Sequence, residues 1–211
     1  MKKERGLSLL EIMVAAALGL LLLTYASRLL IQISRNTLRA QAQVAVQQTV
    51  TITMGRLISD VQTSTPAGLT WQPDLGPAHL RALAVQPLRD VDGDGLSVYA
   101  DKLLIIYYYD APNQLLRRRE WMPPHNPPLT LNPSEPVRLS DTQLLTALST
   151  QDFSLDSSIK NLDQFELSNP YPPPNLGNPL ELKISGRQHV VSGKSDEFFE
   201  VKRSIVLRNP K

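Results

Sequence analysis

LSLLEIMVAAALGLLLLTYA, residues 7–26, decides how this chain is built. These twenty residues carry a single charge, Glu11. A helix of this length spans roughly 30 Å, the hydrocarbon thickness of a bilayer. The six residues before it, MKKERG, set Lys2, Lys3 and Arg5 against Glu4. Basic residues stay on the cytoplasmic side, so the sequence reads as N-terminus in and bulk of the chain out. The stretch after Ala26, SRLLIQISRN, offers no small-residue site at which a secretory signal would be cut.

Glu11 is the anomaly. A carboxylate at the centre of a membrane helix costs about 2.5–3.5 kcal/mol, and such a residue usually has a partner. No Lys, Arg or His occurs between Glu11 and Arg28. Cutting the chain after Gly6 would create a cation nearby, the α-amino group of Leu7.

The helix signal continues past the apolar stretch. Residues 27–62 contain no Pro and one Gly, Gly55, and are rich in good helix formers. Val46, Val50, Met54, Leu57 and Val61 recur at steps of three and four, which is one helix face. The expectation is one helix from residue 7 to about residue 61, roughly 80 Å long. Its first half is membrane-embedded and its second half lies on a domain.

Composition bounds the rest. Of 211 residues, those beyond the helix suffice for one globular domain. A net charge of +2 gives no electrostatic argument for nucleic acid. With no Cys, disulfides and thiolate metal sites are excluded. The 17 prolines cluster, and the clusters mark loops.

Beyond Ser64 the chain reads as short strands. Pro66, Pro73 and Pro77 predict a loop over residues 66–79. Residues 80–86 form a first strand, and residues 102–109 (KLLIIYYY) form the strongest one. Residues 114–121 return as a hairpin arm after the turn residues 110–113. A short strand at 137–139 is expected, then one or two helical turns over 141–149 capped by Asp141. Strand pieces follow at 153–155 and 162–167, and closing strands at 180–185 and 200–207. This is an α+β pattern: a long helix covering an antiparallel sheet.

Three clusters bear on chemistry. Asp90, Asp92, Asp94, Gly95 and Asp101 match positions 1, 3, 5, 6 and 12 of an EF-hand-type calcium loop. Position 12 is Asp where that loop has a bidentate Glu, position 8 is Ser97, and a strand follows where a helix would. The other reading is an acidic turn, in which Asp and Gly are favoured for backbone reasons. Arg117, Arg118 and Arg119 invite a nucleic-acid reading. Without a wider basic surface, the plainer reading is a strand whose alternate arginines face solvent while the third packs its stem. His79, His125 and His189 lack ligand spacing, and no nucleophile or phosphate-loop motif occurs, so no enzyme activity is expected.

The run Gly6-Leu7-Ser8-Leu9-Leu10-Glu11, after a basic leader and before an apolar helix, resembles the N-terminus of a type IV prepilin. The resemblance implies that residues 1–6 are a leader removed by prepilin peptidase, with cleavage between Gly6 and Leu7 and N-methylation of Leu7. Most prepilins have Phe where this chain has Leu7. Glu11 matches the family's glutamate, which implies pairing with the α-amino group of a neighbouring subunit during assembly. Residues 7–26 would then be the transmembrane half of the helix, 27–62 its amphipathic half, and 63–211 the β-rich globular domain. The layout of that domain resembles PilW-type minor pilins and the related J-type pseudopilins of type II secretion. Many pilins close a C-terminal loop with a disulfide, which this chain cannot form. The partners implied are prepilin peptidase, other minor and major pilins, and the inner-membrane assembly platform. The implied location is the inner membrane with a periplasmic domain, then the filament or its tip. No cofactor is implied beyond the calcium reading. A different class is a membrane-anchored periplasmic binding domain that never polymerises.

Overall fold

A computed structural model describes residues 8–77, 79–91, 97–100, 103–121, 131, 133–134, 136, 138–149, 153–168, 179–189 and 196–207. Its first element is α1 (Leu9–Gln62), an unbroken α-helix of 54 residues, about 80 Å long. Ser8 is the N-cap. At the far end the Thr63 N–H donates to the carbonyls of Asp60 and Val61, and a single 3-10 turn follows at Pro66–Gly68.

The burial of α1 is one-sided and confined to its C-terminal third. Val46, Val50, Met54, Leu57 and Val61 are buried, as their periodicity predicts, together with Thr53. Every residue of α1 before Ala42 is exposed, about 50 Å of helix at 1.5 Å per residue. Leu9, Leu10, Leu20, Leu21, Leu22 and Leu23 are all well exposed.

The domain has ten strands among the described residues. They are β1 (Leu69–Leu75), β2 (Leu80–Val85), β3 (Leu88–Val91), β4 (Ser97–Tyr99), β5 (Leu104–Asp110), β6 (Leu115–Trp121), β7 (Phe153–Lys160), β8 (Leu162–Ser168), β9 (Leu180–Gln188) and β10 (Glu197–Ile205). Helix α2 (Asp141–Ser149) lies between β6 and β7. Every strand pairing is antiparallel. A five-stranded sheet runs β1-β2-β5-β6-β7, a three-stranded sheet runs β10-β9-β8, and β3 pairs with β4 alone. The chain passes from the first sheet to the second at Asn161, whose φ of 64° makes the sharp bend between β7 and β8.

Two cores result. On one side, α1 packs its buried face against Leu83, Val85, Ile105, Tyr107 and Tyr109 of the larger sheet and Leu182 and Ile184 of the smaller one. On the other face of the larger sheet, α2 covers Ala84, Leu104, Ile106 and Trp121 with Leu144 and Ala147. The arrangement is α+β, a long N-terminal apolar helix on antiparallel sheets.

Three local expectations need correction. Residues 69–75, expected within a loop, form β1. Its Pro73 sits where the register with β2 slips between Gln72 and Leu75, on an edge strand where no ladder N–H is needed. The cap of α2 is Ser140, not Asp141. The Gln143 N–H donates to Ser140 Oγ, and the Ser140 N–H donates to Gln143 Oε1. Residues 138 and 139 are irregular and form no strand, while residue 137 lies outside the described residues.

Candidate functional site

The exposed apolar helix is the feature the domain serves, and two constellations position it. The first is at its start. The side chain of Ser8 accepts from the Glu11 N–H at 3.3 Å, and Glu11 Oε2 accepts from the Ser8 N–H at 2.8 Å. This reciprocal capping box satisfies two donors that a helix start leaves unpaired. Glu11 is also an acidic residue in the first turn of α1, at the positive end of the helix dipole. Glu11 therefore has a partner within its own chain, the Ser8 backbone, besides the amine expected from the sequence. Gly6 and Leu7 lie outside the described residues.

The second constellation anchors α1 to the domain. Asp60, in the last turn of α1, accepts from Tyr107 Oη of β5 at 2.5 Å and from Arg118 Nε of β6 at 2.7 Å. Arg118 Nη1 also donates to Glu120 at 2.5 Å. The Arg118 side chain is 8% exposed and that of Asp60 15%. Tyr107 and Arg118 are direct cross-strand partners. Burial pushes the Tyr107 phenol well above the ordinary tyrosine range, and the hydrogen bond to Asp60 pushes it further. Burial alone would pull the Arg118 guanidinium down, but its bonds to Asp60 and Glu120 outweigh that and hold it higher. The middle arginine of the run is thus a buried ion-pair partner, charged head included. Arg117 and Arg119 are half-buried about the Tyr108 ring, with Arg119 5.1 Å from its centroid. Arg119 also donates to the carbonyl of Leu148 at the end of α2.

A third contact sits midway along the buried stretch. A Cβ on Gly186 of β9 would fall 2.8 Å from Val50 and 3.1 Å from Val46. The absence of a side chain there lets α1 lie directly on the smaller sheet. Beyond the helix end, Ser64 Oγ donates to the Gln86 carbonyl at 2.6 Å, and Thr65 is hydrogen-bonded to Tyr99. These bonds tie the base of the β3–β4 hairpin to α1. Asp90 belongs to β3, but its side chain and all of Asp92, Asp94 and Asp101 lie outside the described residues.

Sequence reasoning missed Ser8, Asp60, Tyr107, Glu120 and Gly186, and it placed Arg118 in the arginine run without its carboxylate partners. Ser8-Leu9-Leu10-Glu11 carries the S-x-x-E signature of a capping box, a signal that could have been found. The others depend on contacts between residues far apart in the chain.

Among the described residues, α1 is the one helix long and apolar enough to cross a membrane. Residues 1–27 match the family model of the prokaryotic N-terminal methylation motif. No curated protein and no solved structure matches the chain. The matched motif supports a type IV pilin or pseudopilin, a membrane-anchored substrate of prepilin peptidase, and points to a structural subunit rather than an enzyme.

Proposed function

We propose that this chain is a minor type IV pilin, which primes pilus assembly at or near the filament tip. The observation that carries the reading is a methylation motif at the head of an apolar helix that stands free of its own domain. Such a helix has two apolar environments to enter, the bilayer and a bundle of like helices. Prepilin peptidase removes residues 1–6, Leu7 becomes the N-methylated first residue, and the domain faces the periplasm. On assembly, apolar stretches from neighbouring subunits bundle, and Glu11 meets the α-amino group of a neighbour. A charge pair in that low-dielectric setting is stronger than in water, so the carboxylate favours the filament over the bilayer.

Intact-mass measurement of the chain from cells with and without prepilin peptidase tests the processing. The expected result is loss of residues 1–6 and gain of one methyl group when the peptidase is present. A leader retained in both strains refutes the pilin reading and favours an anchored domain that never polymerises. Deletion of the gene then separates the two assemblies that share this N-terminus. Loss of surface pili supports the minor pilin, and loss of secreted enzymes with pili intact supports the J-type pseudopilin.

A further inference from the structure

We infer that Ser8 is a positioning residue for processing: its cap ends α1 just short of the Gly6–Leu7 bond and keeps that bond out of the helix. The inference rests on the reading that the chain is cut after Gly6.

Hydrolysis adds water to the Gly6 carbonyl carbon, breaks the C–N bond to Leu7, and leaves a carboxylate on Gly6 and an amine on Leu7. The carbonyl must therefore be open to attack and to the peptidase's own donors. In an α-helix that began two residues earlier, the same carbonyl would accept the Leu10 N–H. Here the first carbonyl taken up is that of Ser8, which accepts the Ile12 N–H at 3.2 Å. Ser8 itself is extended, with φ −70° and ψ 147°. Its hydroxyl takes the Glu11 N–H and its own N–H is held by the Glu11 carboxylate, so both ends of the box pin the boundary. Gly6 disfavours helix but is itself an acceptable N-cap, so without the Ser8 cap the helix can start two residues earlier. Leu7 is a good helix former, and in an apolar layer a helix gains from extending, because unpaired backbone groups are costly there.

Ser8 works here through backbone conformation and not by touching the reacting atoms, so any residue that caps should replace it. A serine cap replaced by alanine shifts the balance between extended and helical starts by about fivefold, the equivalent of about 1 kcal/mol. The experiment follows cleavage of the full-length chain in membranes with purified prepilin peptidase over time. It compares wild type, Ser8→Ala, Ser8→Asn and Ser8→Thr. The expected outcome is a two- to fivefold slower initial rate for Ser8→Ala, with near wild-type rates for the two capping replacements. Backbone chemical shifts of the full chain in micelles should show helical values reaching Leu7 in Ser8→Ala alone. Wild-type cleavage rates in Ser8→Ala overturn the inference. So does slow cleavage in all three variants, which would mean that the peptidase reads the serine itself. Failure of the wild-type chain to be cut after Gly6 is a separate result, and it removes the underlying reading of the chain as a prepilin.

Discussion

Replacing Asp60 with alanine is the most direct test of how the helix is held. The carboxylate accepts two hydrogen bonds, from Tyr107 and from Arg118. Hydrogen bonds to a charged group are worth about 1.5–3 kcal/mol each. Removing one partner of a buried ion pair costs about 3–5 kcal/mol when the remaining charge is stranded. Arg118 is not stranded, since Glu120 stays 2.5 Å from its Nη1. The two bonds together are worth about 3–6 kcal/mol, and with Arg118 still paired the loss should fall at the low end, at about 3 kcal/mol. For a domain of this size it corresponds to a fall in Tm of roughly 5–10 °C. Both tryptophans, Trp71 and Trp121, are buried in the domain, so near-UV circular dichroism of the full chain in detergent, read at the tryptophan bands to leave out Tyr25 of the free helix, reports its melting. The same substitution in an Arg118→Met background should cost clearly less, because the partner is already gone. A fall of less than about 2 °C, or an equal fall in both backgrounds, would show that the ion pair does not fasten α1.

Three further outcomes follow from the same contacts. Tyr107 ionises later in the folded chain than the ordinary 10.0, so its contribution is complete below that pH and is lost as pH rises above it. In alkaline melts Tyr107→Phe should lose less stability than wild type above pH 10; parallel losses would assign the effect elsewhere. Gly186→Ala should destabilise by about 1–3 kcal/mol through crowding against Val50, and Val50→Ala in the same chain should relieve part of it. If the loop carrying Asp90, Asp92, Asp94 and Asp101 binds calcium, a tenfold excess over Kd adds about 1.4 kcal/mol of stability. The chain should then melt higher in calcium than in chelator, and identical melts would return the loop to an acidic turn.

What the sequence made legible was periodic or local. The buried face of α1 was readable because the residues that touch the sheets repeat at helical spacing along one element. The hairpin of β5 and β6 was readable because its turn and apolar runs are adjacent. β1 was not, because a proline normally breaks a strand, and only its place at a register slip on a sheet edge makes Pro73 harmless. Of the N-terminal site, the prepilin-like run pointed to Glu11, and its partner Ser8 was legible as well in the S-x-x-E spacing. The anchor was hidden for a different reason. Asp60 and Arg118 are 58 positions apart. The Arg run looks solvated until a carboxylate from another element is placed over its middle member. Gly186 likewise reads as a strand defect until a helix lies on it.

The unbroken course of α1 has a mechanical consequence. No proline interrupts it, and its buried third is gripped by different strands along its length: β9 at Val46 and Val50, β5 and β6 at Asp60. Contacts on two sheets restrain a rod from spinning as well as sliding. A pull or twist applied to the free end thus reaches the domain without slack. Under the proposed function, a subunit drawn out by its helix would carry its head along at a fixed azimuth. The angle at which each head met the next would then be set by the helix that delivered it, before the two heads touched.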